Sequence, residues 1–489
     1  MNQLSDYTPP PVGTSPPSQR YDYDADRNIS FLTRPAGQFA SYNYDSSGRL
    51  STINISEPGV MRTITQNWSP TTGLLATISE SLSNSSQAYT YDGTLPTRVD
   101  WTGPVSGSLI LGYNAEFRQI QEKLVVGSVL DEVFAYDPDG LLVCASASTC
   151  SPPGVDALKL NYQINNTLLS STTLGNVSTT LTYNAYGELA SETATLGSNF
   201  LMAETYDNGS SWARDKLGRV THKTELLGSS TFQYDYLYDS AGRLVSVIAQ
   251  PSAFYNYDGN GNRISAGTYD AQDRLLTYGD FTYTYTDNGE RATKTSGSTG
   301  QVTRYDYDAF GNLRHVTLPN GNAFDYVIDA RGRRIAKKDK NGNYVKRWLY
   351  KDDLHPVAEL DGSGTLVSRF VFATGKNSPD YMWRGNVTYR ILSDQLGSPR
   401  LVVNVSATGI TGAIAQQMRH DEFGNVLQDT NPGFTPFGFA GGLYDPDTGL
   451  VHFGARDYDP VVGRWISKDP LLFGGQQTNL YARLIGSNQ

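Results

Sequence analysis

An all-β repeat architecture is the fold class this sequence predicts. Three observations predict it: a Tyr-Asp motif recurring about every 22 residues, 48 glycines and 32 tyrosines in the chain, and strand-like alternation between the motifs. One hydrophobic core rarely grows past roughly 250–300 residues, so 489 residues require several domains or one extended array. The recurring unit decides for the array. Hydrophobic residues make up 38%, against roughly 45–50% in ordinary globular chains, so the burial missing from aliphatics has to come from rings. One buried aromatic removes roughly 150–250 Å² from water, worth about 4 kcal/mol gross.

The unit is Tyr-Asp, two variable residues, Gly, a polar residue and an apolar one. It stands as YDSSGRL (44–50), YDPDGLL (136–142), YNAYGEL (183–189), YDSAGRL (238–244), YDGNGNRI (257–264) and YDAFGNL (307–313). With the ring position as anchor, spacings of 21 to 26 residues join Tyr23, Tyr44, Trp68, Tyr91, Tyr113, Tyr136, Tyr162, Tyr183 and Tyr206. The spacing then breaks to 32, 19, 12 and 16 through Tyr238, Tyr257, Tyr269 and Tyr285. It returns to 22, 21 and 22 at Tyr307, Ile328 and Tyr350.

Each unit reads as strand, tight turn and returning strand. The Asp45 carboxylate is suited to accept from a backbone amide two residues on, and Gly48 supplies the positive φ of a short hairpin loop. Phe281-Thr282-Tyr283-Thr284-Tyr285 alternates with the period of two that puts rings on one face. The anchor rings are expected to stack on one another from repeat to repeat, with neighbours required because one repeat cannot bury its own face. On that reading, truncating Tyr136 or Tyr183 to Ala costs about 3–5 kcal/mol. Helix is expected in less than about one tenth of the chain. The irregular stretch from 238 to 285 reads as two short repeats or as hairpins projecting from the wall. Residues 1–20, with Pro9, Pro10, Pro11, Pro16 and Pro17, read as a mobile proline-rich lead-in.

Charge and cysteine content exclude several classes. A net charge of −10 disfavours nucleic acid and anionic membrane surfaces as partners. No apolar run reaches the roughly 18 residues of a membrane span, and the opening Met1-Asn2-Gln3-Leu4 has no basic stretch leading into an apolar core, so no export signal is read here. The five histidines (His222, His315, His355, His420, His452) are too scattered for a recognised zinc spacing, and no metal or other cofactor is expected. Cys144 and Cys150 are compatible with a disulfide or with two free thiols. No nucleophile elbow, phosphate loop or dinucleotide fingerprint is present, which disfavours a stand-alone hydrolase and leaves the chain as given not an enzyme.

The repeats run into Tyr389, ILSDQLGSPRLVV (391–403), GFAGGLYDPDTGLVHFGARDYDPVVGRWISKDP (438–470) and GGQQTNLYA (474–482). These long motifs resemble the Rhs-associated core, and from about Tyr21 onward the chain is similar to YD-repeat proteins of the Rhs family. The resemblance implies residues 1–20 as lead-in, 21–385 as YD-repeat shell and 386–489 as a truncated Rhs core. It implies strands spiralling into a hollow shell or cocoon, closed by the core segment, with a toxic C-terminal domain held inside. It also implies a secreted or cell-surface protein that partners a delivery-system or toxin-complex subunit. The alternative it carries is a shell for cell-surface adhesion or carbohydrate binding without cargo, as in the animal teneurins.

Family members that release their cargo cut themselves after the core with an aspartic-protease-like site. By motif, that site maps onto Arg456, the Arg before Tyr-Asp-Pro, and Asp469, the Asp of the following Asp-Pro. A second Asp from a downstream D-P-x-G segment is absent before Gln489, so the chain reads as a fragment holding half a site. Two close carboxylates suit the chemistry because they cannot both ionise, leaving one as acid and the other as base. The plainer reading is structural. Asp445, Asp459 and Asp469 each precede Pro and so suit corners, and Arg456 and Arg464 suit local pairing with Asp457 or Asp459. The Tyr anchors likewise read as core before sugar platform, and the repeated Asp and Asn as turn formers before calcium ligands.

Overall fold

Residues 4–12, 18–154, 156–206, 213–475 and 478–482 are described by the computed structural model; Pro16 and Pro17 lie outside them. Among the described residues nearly everything regular is strand, and the helical elements are two short 3-10 turns, Phe439–Gly441 and Leu472–Gly475. The turn chemistry read from YDSSGRL is present atom by atom. Asp45 N donates to Arg49 O at 2.8 Å and Gly48 N to Asp45 O at 2.9 Å. Asp45 Oδ1 accepts from the amides of Ser47 and Arg49 at 2.9 and 3.0 Å, and Gly48 has φ +75°. A type I turn closed by a left-handed residue is the ordinary route to a bulged hairpin. Here the bulge recurs: register shifts fall immediately before Tyr44, Tyr91, Tyr136, Tyr183, Tyr307 and Tyr350. Bulges add local twist, so their regular recurrence bends the whole ribbon.

The anchor rings do not stack on one another; among the described residues no two anchors make a ring contact. They are joined through the backbone instead. Tyr44 Oη donates to Ile29 O at 2.8 Å, Trp68 Nε1 to Leu50 O at 2.8 Å, Tyr91 Oη to Leu75 O at 2.9 Å and Tyr113 Oη to Pro96 O at 3.0 Å. The same bond is made by Tyr136, Tyr162, Tyr183, Tyr238, Tyr257, Tyr269 and Tyr350. Between the rungs lie guanidinium groups: Arg49 sits 5.4 Å from the Trp68 ring, Arg219 4.5 Å from Tyr238 and Arg243 4.9 Å from Tyr257. Stacking fails because consecutive anchors are two strands apart, roughly 10 Å, and where an arginine follows the turn, as Arg49, Arg219 and Arg243 do, it fills the gap.

The ribbon forms a 22-stranded antiparallel sheet from Asp6–Tyr7 to Ala253–Phe254, then a 16-stranded sheet from Gly267–Tyr269 to Val426–Asp429. The break between them is the irregular stretch, and it consists of two short repeats. Asp258 and Asp270 close turns of the same kind, with Asp273 at φ +60° where glycine usually stands. The second sheet lies along the first as a second turn of winding. Arg34 pairs with Glu290, Arg62 with Asp308 at 3.0 Å, Gln87 with Asp329 at 2.9 Å, Arg369 with Glu122 at 2.8 Å, Tyr381 with Glu132, and Arg400 with Glu225 at 2.7 Å. The 372–380 loop departs from this order, Lys376 reaching Glu192. Positions 290 to 400, a span of 110, thus lie against positions 34 to 225, a span of 191, so the second turn is the smaller and the winding tapers.

Among the described N-terminal residues, 4–12 and 18–20, several are packed and do not form a free lead-in. Asp6–Tyr7 pairs with Gln19–Tyr23, Pro9 is buried, Tyr7 meets Phe473 edge-on, and Gln272 Nε2 donates to Pro10 O at 2.8 Å. Proline removes backbone donors but leaves carbonyls that a neighbouring turn can engage. Cys144 and Cys150 are disulfide-bonded and close the loop after Leu142–Ser146.

Candidate functional site

A third sheet of four strands, Leu443–Asp445, Leu450–Phe453, Arg456–Asp459 and Arg464–Trp465, lies against the second turn. Leu450 and Ile466 join a core with Tyr305, Val316 and Tyr326, while Phe437 and Leu443 join one with Phe370 and Trp348. Buried ion pairs tie the two together: Arg291 to Asp459 at 2.5 Å, Arg334 to Asp457 at 2.9 Å and Lys337 to Asp445 at 2.6 Å. Tyr326 also donates to Asp445. Asp457 holds His452 Nδ1 at 3.3 Å, and burial lowers the pKa of this imidazole from its usual value. The charged partners hold Asp457 and Asp459 below the carboxylate range against a burial that would raise them.

The sequence motifs singled out Arg456 and Asp469, and the fold brings them together. Arg456 Nη2 lies 3.0 Å from Asp469 Oδ2, and its guanidinium sits 4.2 Å from the centre of the Trp465 ring. Burial pulls the Arg456 pKa below its ordinary value, and Asp469 opposes that shift. Asp469 Oδ1 accepts from Leu471 N at 2.9 Å, so one oxygen shapes the Asp-Pro corner while the other holds the cation. Asp459 does the same, with Oδ1 on Val461 N at 3.1 Å and Oδ2 on Arg291. Both aspartates therefore shape their corners, as the plainer reading has it, and each also holds an arginine.

The local pairing expected for the arginines is not. Asp457 and Asp459 are taken by arginines over 100 positions away in sequence. Arg464 serves Asn262 Oδ1 at 2.9 Å, Asp273 O at 2.8 Å and Asn479 Oδ1 at 3.1 Å. Tyr481 Oη donates to Gly289 O at 2.6 Å. The end of the core segment thus docks on the irregular repeats at 257–289. Sequence reasoning missed Arg291, Arg334 and Lys337, because an arginine after a strand turn looks like a solvated face until its partner arrives from the core segment.

One carboxylate neutralised by one guanidinium is an orienting pair and not an acid–base couple. A separate cleft of about 620 Å³ opens between the two turns of ribbon, beside Gln38, Glu57, Glu290, Arg314 and His315; neither Arg456 nor Asp469 lines it. No helix among the described residues is long and apolar enough to cross a membrane.

A bulged antiparallel ribbon of Tyr-Asp turns, wound over a plug from its own C-terminal segment, defines a YD-repeat β-shell. The chain belongs to the teneurin YD-shell family, whose model matches residues 2–481. Human teneurin-4 is 27% identical over 456 residues, 88% of this chain and 15% of that protein. Mouse teneurin-4 is 32% identical over 285 residues, 54% of this chain and 10% of that protein. The chain therefore spans a small part of these relatives' length. Among solved structures, TcdB2-TccC3 matches with a TM-score of 0.64 at 16% identity, covering 96% of this chain and 28% of that one. The Photorhabdus luminescens Tc holotoxin pore matches with a TM-score of 0.55 at 15% identity, covering 96% and 27%. These structural likenesses establish the shared fold.

Proposed function

We propose that this chain is the closing part of a container: a tapering wall and plug that encloses a C-terminal toxic cargo in the full-length protein, which cuts itself after the core. The observation that carries this reading is the Arg456–Asp469 pair at 3.0 Å, the two residues the self-cleaving members of the family would use. The main-chain amide of Asp469 donates to Leu480 O at 3.0 Å, so in a longer chain the peptide following Leu480 sets out from beside this carboxylate. The likeness to TcdB2-TccC3 and to the Tc holotoxin supports a toxin-complex subunit as partner. The Cys144–Cys150 disulfide suits an oxidising, secreted or cell-surface setting.

The second reading, an adhesive or carbohydrate-binding shell without cargo, is favoured by the sequence likeness to teneurins. A gel of purified protein extended through a downstream D-P-x-G segment separates the two. In the container reading the extended protein is cut, the 489-residue chain is not, Asp469→Asn abolishes cutting, and Arg456→Lys slows it by losing the planar two-point contact. Undiminished cutting in the Asp469 variant removes that residue from the mechanism. An extended chain that stays whole, followed by a domain digested as fast as a free one, favours the adhesive shell.

A further inference from the structure

The plug carries one buried acceptor that the shell leaves unused. His452, on the strand Leu450–Phe453, is 6% exposed. Its Nδ1 lies 3.3 Å from Asp457 Oδ1, and Arg334 at 2.9 Å keeps Asp457 a carboxylate. A carboxylate only accepts, so the imidazole proton sits on Nδ1 and Nε2 presents a bare lone pair. Burial lowers the pKa of the ring, which keeps it neutral. Nε2 itself is buried and has no partner among the described residues. Buried polar atoms are normally hydrogen-bonded, so this one calls for a donor.

His452 lines a cleft of about 170 Å³ where the plug meets the second turn of winding. Tyr350, Leu354, Leu443 and Phe453 give it apolar walls, and Gly441 and Gly442 leave part of it free of side chains. Most other polar groups of the lining are already engaged. Tyr350 Oη donates to Arg334 O at 2.9 Å, Arg333 Nε to Asp329 Oδ2 at 2.9 Å, and His355 Nδ1 lies 2.8 Å from Asp352 Oδ2. The amides of Gly441 and Gly442 donate to Gly438 O and Phe439 O, each at 3.1 Å.

This lining is selective. A water is held by two to four polar partners, whereas a cavity of roughly 150 Å³ suffices for one benzene ring. An anion would meet a lone pair. Among the described residues no three metal-ligating side chains are grouped, and the lining has no serine, threonine or cysteine for the Asp457–His452 couple to activate. The couple is therefore built to recognise a donor, and the walls around it are built for a ring.

We infer that this cleft binds a phenol ring, its hydroxyl donating to His452 Nε2 and its faces packed among Leu354, Leu443 and Phe453. The ring comes either from a free small phenol or from the tyrosine side chain of a peptide. The inference concerns the plug alone and is independent of the container and adhesive readings.

Nuclear magnetic resonance of the protein with nitrogen-labelled histidine tests it. The chain has five histidines, and the His452 signal is assigned by its loss in His452→Gln. p-Cresol should shift the His452 Nε2 resonance with a Kd of about 1 mM. Toluene, the same shape without the donor, should bind about tenfold more weakly. Leu354→Glu, at a position 61% exposed, should keep the circular dichroism spectrum and weaken p-cresol binding about tenfold. N-acetyl-tyrosine amide separates the sources: tighter binding than p-cresol assigns the ring to a peptide tyrosine, weaker binding to a free phenol. The inference is overturned if p-cresol leaves the His452 signal in place, if toluene binds equally well, or if folded Leu354→Glu protein binds p-cresol as before.

Discussion

The two turns of winding are built from the same repeat and live in different surroundings. Around the first, the anchors Tyr44, Tyr91, Tyr113 and Tyr136 are half-buried, and the arginines after the turns pair with their own turn aspartate, as Arg49 does with Asp45 at 2.6 Å. Around the second, Ile328 and Tyr350 are buried, Arg333 still pairs with its own turn Asp329 at 2.6 Å, and one position further from the turn Arg291 and Arg334 are buried on plug carboxylates. The repeat therefore specifies a hairpin and leaves burial open. Stability is added by whatever the winding brings alongside, and the second turn, covered by the first turn and the plug together, receives more of it.

The largest effect that sharpens this contrast should come from the arginines. Arg291→Ala strands the Asp459 carboxylate in the interior and should cost about 5 kcal/mol, whereas Arg49→Ala on the first turn should cost less than about 1 kcal/mol. Urea unfolding midpoints of the two variants check this. Equal losses would mean that the plug contributes nothing beyond the local turn.

Next comes the ladder. Tyr350→Ala should cost about 3–4 kcal/mol, while Tyr136→Ala should cost about 1–2 kcal/mol, because the Tyr136 ring keeps part of its surface in water. This lowers the 3–5 kcal/mol that the repeat alone suggested for Tyr136 and Tyr183. Limited proteolysis with a melting curve separates the pair, and matched losses would break the comparison.

The smallest effect lies in the seam. Burial against the second turn pushes the Glu132 carboxyl up to about 8, with Tyr381 donating to it. The unfolded chain loses this proton near pH 4.5, so the fold's advantage is whole below that pH and drains away as pH rises towards 8. Glu132→Gln, which mimics the protonated group, should raise stability by about 1–2 kcal/mol at pH 8 and leave it unchanged near pH 4. Melting curves at the two pH values read it, and a variant equally destabilised at both would show that the charged form is the one the seam accommodates.

Much of the shell was legible in the residues. The Tyr-Asp-x-x-Gly pattern states its own hydrogen bonds, since the Asp carboxylate, the two amides after it and the left-handed glycine all lie within five positions. Arg456 and Asp469 were legible as motif positions 13 residues apart, close enough for one corner to bring them together. Ring stacking was the wrong inference from the same pattern, because sequence period reports that rings recur and not how many strands separate them. The burial of Pro9 and the bond to the Pro10 carbonyl were likewise invisible, since the donor Gln272 stands over 250 positions away.

By itself, then, the sequence determined the hairpin, its turn, the recurrence of the anchor and the all-β class, since each depends on interactions among neighbours along the chain. Only the tertiary structure decided which anchors are buried, which arginines are paired with the plug and where the ribbon tapers. Those depend on pairings such as Arg62 with Asp308 and Arg400 with Glu225, whose separations of 246 and 175 residues are set by the curvature accumulated over many bulged strands, a quantity no single repeat encodes.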